Sequence, residues 1–232
     1  MGMAIRDYYE GCPLQPLRVF SPQFEDDEFP VETLFRAVPD MSGLEREALR
    51  LCRGRVLDVG AGAGCHSLAL QSAEQTVTAV DISPHSVETM RRRGVRDVRL
   101  ADFFADEVGG PYDTLLFLMN GLGLAGTLAA LPRLLERCAV LLAPGGQILA
   151  DSSDLCYLFE DEDGSLDDLP DSRYYGEVDY VMRYGSVAGR PFGWLYVDAG
   201  TLCRAARSAG FRCRVVSTGP HYDYLACLER AD

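Results

Sequence analysis

The sequence contains no lysine, so all 22 of its basic residues are arginines, against 35 aspartates and glutamates. Without lysine the chain lacks the amine that Schiff-base catalysis requires, and it lacks the lysine of a Walker A loop. The formal charge of −13 argues against a nucleic-acid partner, because binding to phosphates needs clustered cations. The densest basic run, residues 91–93, is predicted to be the solvated end of a helix.

Long apolar segments are also missing. Runs such as Leu115 to Met119 are far too short to cross a bilayer, and the charged start of the chain is unlike a secretion signal. We therefore predict no membrane partner and a cytoplasmic location. The eight cysteines form no CxxC pair and are accompanied by three histidines, which favours reduced core thiols over a metal site.

Apolar periodicity predicts strands and helices that alternate along the middle of the chain. The predicted elements are helix 44–52, strand 55–59, helix 65–72, strand 75–80, helix 84–93, strands 97–101 and 112–118, helix 127–142, strand 146–151 and helix 199–209. Such alternation indicates a parallel sheet with helices on both faces. The final strands, 211–218 and 222–229, are joined by only three residues and must therefore be antiparallel.

Two segments between these elements have a character of their own. Residues 175–197 contain two β-rich runs and are predicted to form an inserted hairpin, with Trp194 expected in the core. The acidic run 160–168 is predicted to be a solvated loop whose role stays open. It does not fit a calcium-binding loop, because Gly164 would place Phe159 at the first ligand position, which requires aspartate.

The segment Val56 to Gly64, VLDVGAGAG, is an apolar strand that ends in an acid and continues as a turn with alternating glycines. Such a turn lets the backbone approach a ligand closely. Asp81 follows Gly60 by 21 residues at the end of the next strand, where a carboxylate can accept hydrogen bonds from ribose hydroxyls. These features predict a nucleoside-binding site. They do not fit the dinucleotide fingerprint G-x-G-x-x-G, which would need a glycine at the position of Cys65.

With Asp58 two residues before Gly60, the motif D-x-G-x-G-x-G resembles motif I of class I S-adenosylmethionine-dependent methyltransferases. The resemblance covers about residues 50–152, and MNGLGLAGT and ADSSDL are similar to a subgroup of uncharacterised bacterial small methyltransferase-domain proteins. It implies an α/β fold with a Rossmann-like seven-stranded sheet whose last strand is antiparallel, and helices on both faces. An N-terminal helical cap and the inserted hairpin complete the expected fold.

The resemblance implies S-adenosylmethionine as the cofactor. Asp81 would bind its ribose, Asp102 its adenine amino group, and Asp58 with the glycine turn its methionine part. The implied cofactor residues are Asp58, Gly60, Ala61, Gly62, His66, Asp81, Ile82, Ser83, Asp102, Phe103, Met119 and Asn120. The division that follows is a single domain with a cap (1–50), a cofactor-binding core (51–152), an acceptor-side insertion (153–197) and a C-terminal helix and hairpin (198–232).

The implied reaction is methyl transfer to a small molecule through an oxygen, nitrogen, sulfur or carbon nucleophile. His221 and Asn120 are the candidates for catalysis, and the acceptor pocket is expected at Tyr9, Asp154, Tyr175, His221 and Tyr222. No metal is expected, and the sequence sets no oligomeric state. The alternatives are a protein acceptor, a nicotinamide-dependent oxidoreductase, and a non-catalytic module that binds S-adenosylmethionine.

Overall fold

A computed structural model describes residues 1–159 and 173–231 of the protein, so the acidic run 160–168 lies outside the described residues. The helices are α1 (Gly2–Glu10), α2 (Gly43–Leu51), α3 (Cys65–Ser72), α4 (Pro84–Arg93), α5 (Leu131–Leu141) and α6 (Ala199–Ser208). The strands are β1 (Leu17–Phe20), β2 (Asp27–Glu28), β3 (Arg55–Val59), β4 (Thr76–Asp81), β5 (Asp97–Leu100), β6 (Tyr112–Phe117), β7 (Leu142–Ser153), β8 (Glu177–Tyr184), β9 (Val187–Ala188), β10 (Phe192–Leu195), β11 (Phe211–Thr218) and β12 (Asp223–Arg230).

The main sheet has seven strands in the order β11-β12-β7-β6-β3-β4-β5. Strands β3 to β7 run parallel, whereas β12 lies antiparallel between β7 and β11. The central strands are rich in apolar residues because both faces of the sheet are covered, and Leu57, Leu115 and Ile148 are fully buried. The predicted Rossmann-like sheet with its antiparallel last strand is confirmed.

The helix boundaries follow from their terminal residues. Helix α4 begins after Ser83, whose hydroxyl accepts a hydrogen bond from the backbone N–H of Ser86, and it ends at Gly94 in a left-handed conformation. Helix α2 begins with a capping box, in which the side chains of Ser42 and Glu45 each accept from the other's backbone N–H. The predicted bounds of α4 are correct.

Two elements begin four residues away from their predicted start, while the other predicted helices and main-sheet strands differ by one residue at most. The helix predicted over 127–142 begins only at Leu131, because residues 128–130 form a 3₁₀ turn capped by Thr127. The strand predicted over 146–151 extends over 142–153, because Leu142 pairs with Tyr112 of β6 and residues 147–153 all pair with β12. Long-range pairing therefore extends this strand beyond what its own sequence indicates.

The remaining strands form a second sheet in the order β10-β8-β1-β2, with β9 paired to β8. The inserted hairpin predicted within 175–197 is present as β8 and β10, which pair antiparallel. The N-terminal region was predicted to be helical, but it also contributes β1 and β2 to this sheet. The expected helical cap and the inserted hairpin are thus one structural unit, joined by the pairing of β1 with β8.

No helix among the described residues is long and apolar enough to cross a membrane. Four of the cysteines, Cys52, Cys65, Cys138 and Cys227, are buried as predicted for core thiols. Cys12 is exposed instead. Cys203 of α6 and Cys213 of β11 are partly exposed, and their sulfurs lie 2.6 Å apart.

Candidate active site

A cavity of about 770 Å³ lies between the two sheets. One wall is the edge where the parallel strands of the main sheet end, which is where open α/β sheets bind their ligands. The opposite wall is the second sheet together with the loop from β1 to β2. The residues of this second wall are Val19, Ser21, Phe24, Glu25, Asp27, Glu28, Phe29, Tyr180, Met182, Phe192, Trp194 and Tyr196.

The structure brings most of the expected cofactor residues together in this cavity. Those in its lining are Asp58, Gly60, Ala61, Gly62, His66, Asp81, Ile82, Ser83, Asp102, Phe103 and Met119. Asn120 lies between the lining residues Met119 and Gly121, but its side-chain oxygen accepts a hydrogen bond from the Ser153 hydroxyl at 3.2 Å. Its amide is therefore held towards β7.

The glycine turn after β3 requires its glycines. Gly60 and Gly62 have φ angles of +72° and +59°, a region that L side chains rarely adopt. Gly64 also has a positive φ, and a Cβ there would lie 2.9 Å from Met90 of α4. The turn can therefore pack tightly on α4 while its backbone stays open to the cavity.

Asp81 at the end of β4 is linked to this turn. Its carboxylate accepts hydrogen bonds from the backbone N–H groups of Gly62 at 2.9 Å and Ser83 at 2.7 Å. Burial raises the pKa of Asp81, while these two hydrogen bonds act in the opposite direction. A carboxylate has about four acceptor positions. Two therefore remain for a pair of ligand hydroxyls.

Two more carboxylates complete this wall. Asp58 at the end of β3 is buried and accepts the Ser67 hydroxyl at 2.6 Å, and burial raises the pKa of Asp58. Asp102 after β5 accepts the backbone N–H of Phe104 through one oxygen at 2.8 Å, which leaves the second oxygen for a ligand donor. A cationic ligand group would offset the buried charge of Asp58.

His66 is held by a buried ionic network beneath the cavity. Its Nε2 lies 2.7 Å from the carboxylate of Glu45, which also contacts the guanidinium of Arg36. Burial by itself lowers the pKa of His66, but hydrogen bonds to Cys65 and Glu45 outweigh it and raise the pKa to about 10. The motif Ser42-x-x-Glu45 indicates a helix start but carries no signal for this long-range pairing.

This network predicts a pH dependence of stability. The pKa of His66 is raised from 6.5 to about 10, so its protonated form contributes stability fully below 6.5 and loses it as the pH rises towards 10. We expect the free energy of unfolding, measured by urea denaturation, to fall across this range. In His66→Gln the decline should be shallower. An identical decline in both proteins would contradict the ionic role of His66.

Asp151 of β7 fixes the segment that follows β6. Its carboxylate accepts from the backbone N–H groups of Met119 at 3.1 Å and Asn120 at 2.8 Å, and both residues have left-handed φ angles, 59° and 56°. Burial raises the pKa of Asp151 to about 6. The unusual backbone is thus held by one buried carboxylate, which positions Met119 at the cavity.

The second wall presents aromatic side chains. Phe192 and Trp194 are two residues apart in β10, so their side chains point to the same face of the sheet. Tyr196 follows two residues later and also lines the cavity. The hydroxyls of Tyr180 and Tyr196 lie 3.1 Å apart. Trp194 was predicted to be a core residue, but it is only partly buried and belongs to the lining. The aromatic residue at every second position of the run 192–196 could have indicated that these side chains share one face of a strand.

The expected acceptor residues lie elsewhere. Among the described lining residues none is Tyr9, Asp154, Tyr175, His221 or Tyr222. The Tyr9 hydroxyl bonds the backbone of Arg92, and Tyr175 donates to Asp154 at 2.7 Å. His221 is exposed and Tyr222 stacks on Tyr157 with ring centroids 5.2 Å apart. The turn 219–222 follows β11 at the sheet edge farthest from β5, which separates it from the cavity.

Three possible metal ligands also lie together outside the cavity. The ligand atoms of Asp7, Glu10 and Cys12 lie within 4.8 Å of one another near the end of α1. The carboxylate of Asp7 is paired with Arg6 at 2.7 Å, and that of Glu10 with Arg92 at 2.5 Å. These ion pairs account for the two acidic side chains.

Comparison with known proteins settles the family. Residues 56–146 match the family described as a methyltransferase domain. Over its full length the chain is 50% identical to an S-adenosylmethionine-dependent methyltransferase of Bacteroides fragilis, solved in complex with S-adenosyl-L-homocysteine, and it covers 94% of that protein with a TM-score of 0.93. The chain belongs to the S-adenosylmethionine-dependent methyltransferases.

Two curated relatives match parts of this methyltransferase. A release factor glutamine methyltransferase of Chlorobaculum tepidum is 39% identical over 74 residues. A ubiquinone biosynthesis O-methyltransferase of Xylella fastidiosa is 28% identical over 152 residues. The matched regions span 25% and 60% of these two proteins. The cofactor follows from the family and from the 50% identical protein solved with S-adenosyl-L-homocysteine: the methyltransferase uses S-adenosylmethionine, and the resemblance to the class I enzymes is confirmed.

The contact between Gly123 and Trp194 allows a direct test of the second wall. A Cβ at Gly123 would lie 2.1 Å from the indole ring, so Gly123→Ala must displace Trp194. Trp194 is the single tryptophan of the protein, and its fluorescence reports this position alone. We expect a red-shifted emission in Gly123→Ala. Gly43→Ala is the matched control, because a Cβ there meets nothing within 4 Å, and an equal shift in both would contradict the packing.

Proposed function

We propose that the methyltransferase transfers the methyl group of S-adenosylmethionine to a small molecule held between its two sheets. The observation that carries the proposal is that one cavity is lined both by the expected cofactor residues and by the aromatic wall of the second sheet. Its volume of about 770 Å³ lies within the range of small-molecule sites. Cofactor and acceptor would thus meet in one shared cavity, and a cytoplasmic location stays part of the proposal.

The cofactor would supply an electrophilic methyl group on a positively charged sulfur. In the proposed arrangement Asp81 accepts both ribose hydroxyls, and the free oxygen of Asp102 accepts the adenine amino group. Asp58 and the glycine turn hold the methionine part, while Ile82, which is 69% exposed, covers the adenine ring. With these contacts the methyl group would lie near Met119 and towards the second sheet.

The chain's contribution to the transfer is then orientation and the exclusion of water. Holding nucleophile, carbon and sulfur in line supplies about 7–11 kcal/mol of a barrier without any acid or base. The aromatic residues of β8 and β10 remove water from the acceptor side. His221 stays without support as a base because it lies outside the lining, and Asn120 is held against Ser153.

The names of the two curated relatives refer to different kinds of acceptor: one to a release factor, the other to ubiquinone biosynthesis. The acceptor half of the cavity is walled by β1, β8 and β10 and by the loop between β1 and β2. An acceptor site between these walls favours a small molecule as the acceptor over a group on the surface of a protein.

The proposed function is tested first by isothermal titration calorimetry. We expect micromolar binding of S-adenosylmethionine and S-adenosylhomocysteine and no saturable binding of NADH, which serves as the control ligand. Acceptor screening would then follow the release of S-adenosylhomocysteine over a library of small molecules. Absence of binding by the first two ligands would contradict the cofactor site.

A further inference from the structure

The charged groups that face the acceptor side of the cavity are acidic. The described lining residues include six acidic residues, Asp58, Asp81, Asp102, Glu25, Asp27 and Glu28, and no arginine. The cationic groups of the lining, His66 and the amino group of Met1, lie on the cofactor side with Asp58 and Asp81. On the opposite side lie Glu25 and Asp27, whereas Glu28 pairs with Arg18 on the other face of the second sheet. An anionic acceptor would therefore be repelled by Glu25 and Asp27.

No arginine of the described residues neutralises the two acids of this half. Arg18 pairs with Glu28 at 3.6 Å on the other face of the second sheet. Asp27 accepts the backbone N–H of Glu28 at 2.7 Å. Glu25 forms no ion pair with the described residues. Their negative charge is therefore available to a bound cation.

The aromatic side chains of the second wall face the same space. Phe192 packs edge-on against Trp194 with ring centroids 6.2 Å apart, and Tyr180 lies 5.9 Å from Phe192. The faces of such rings attract cations, most strongly when water is excluded. Arg183 of β8 stacks on Phe20 and not on Tyr180, Phe192 or Trp194. The aromatic residues of β8 and β10 in the lining are left open to a ligand.

This acidic and aromatic half lies beside the reacting end of the cofactor site. The segment Gly121–Ala125 follows Met119 and contacts β10 directly, with Gly123 against the indole of Trp194. In the proposed cofactor arrangement, Met119 and this segment border the methyl group. The group that receives the methyl would therefore lie between the aromatic wall and the acids of the β1–β2 loop.

We propose that the acceptor is a small amine, recognised as an organic cation by the carboxylates of Glu25 and Asp27 and the rings of Tyr180, Phe192 and Trp194. This inference rests on the proposed methyl transfer. The bound ammonium releases one proton to water at the exposed carboxylates. The neutral nitrogen then donates its lone pair to the methyl carbon as the carbon–sulfur bond breaks, which leaves a methylated ammonium and a neutral thioether.

The test compares matched ligands on the protein saturated with S-adenosylhomocysteine. The probes are three sets that differ in one group: 2-phenylethylamine, 2-phenylethanol and phenylacetate; benzylamine, benzyl alcohol and benzoate; and cyclohexylamine, cyclohexanol and cyclohexanecarboxylate. We expect the amine of at least one set to bind about tenfold more tightly than its alcohol, with the carboxylate weakest. The preference should shrink as salt rises, because the acids are exposed.

Two double variants separate local from overall charge. Glu25→Gln/Asp27→Asn should reduce the preference for the amine to about threefold or less. The control Asp26→Asn/Glu32→Gln removes the same number of exposed charges outside the lining, and it should keep the full preference. Both variants should bind S-adenosylhomocysteine like the parent protein.

The outcomes are distinct. If no amine binds more tightly than its alcohol, or if the two double variants keep or lose the preference equally, the inference is wrong while methyl transfer stands. If the parent protein does not bind S-adenosylhomocysteine at all, the proposed function itself fails. A preference that disappears only in the double variant of the lining supports the amine acceptor.

Discussion

Replacing Asp81 by alanine is expected to weaken the binding of S-adenosylhomocysteine about 100-fold or more. Each hydrogen bond from a ribose hydroxyl to a carboxylate is worth about 1.5–3 kcal/mol, and the variant loses two of them. The backbone N–H groups of Gly62 and Ser83 also lose their acceptor, which loosens the glycine turn. Isothermal titration calorimetry measures the loss directly.

The matched control is Asp113→Ala. Asp113 at the start of β6 also accepts a backbone N–H, that of Arg55 at 2.7 Å, but it lies at the opposite edge of the sheet and outside the cavity. We expect its affinity for S-adenosylhomocysteine to stay within about twofold of the parent protein. Equal losses in both variants, or an unchanged affinity in Asp81→Ala, would refute the ribose contact.

Replacing Glu45 by glutamine is expected to destabilise the protein by about 3–5 kcal/mol, because it leaves the charges of His66 and Arg36 buried without an anion. The Glu45 side chain is only 7% exposed and those of its two partners 6% and 11%. Hydrogen bonds from His66 and Ser42 overcome the effect of burial and lower the pKa of Glu45 to about 2. Urea denaturation at neutral pH measures the loss.

Glu47→Gln provides the control on the same helix. Glu47 pairs with Arg50 at 2.7 Å on the solvent-facing side of α2, and such exposed pairs contribute little. The control should therefore unfold at nearly the same urea concentration as the parent protein. If Glu45→Gln were as stable as Glu47→Gln, the buried network would not hold His66 in place.

That the proposed cofactor residues lie together could be predicted from the sequence, because each is marked by a short motif at the end of a strand. Asp58, the glycine turn and Asp81 lie at the ends of successive parallel strands, and the topology of such a sheet brings strand ends together. The order of these motifs along the chain was enough to place them, and all three line the cavity of the structure.

The acceptor half could not be predicted in the same way. It depends on β1, a strand of only four residues, pairing with β8 more than 150 residues further along the chain. Nothing in the run LRVF specifies that partner. Candidates such as His221 were selected because they follow a strand of the main sheet. The wall of the cavity that faces the proposed cofactor residues is formed by the second sheet instead.

The most direct test is a crystal structure of the methyltransferase with S-adenosylhomocysteine and a bound amine from the binding assay. We expect both ribose hydroxyls on the carboxylate of Asp81, the adenine beside Asp102 and Ile82, and the sulfur turned towards Trp194 of the second sheet. The amine nitrogen should lie in line with that sulfur. A nucleoside bound away from Asp81, or a sulfur that faces away from the second sheet, would contradict the account.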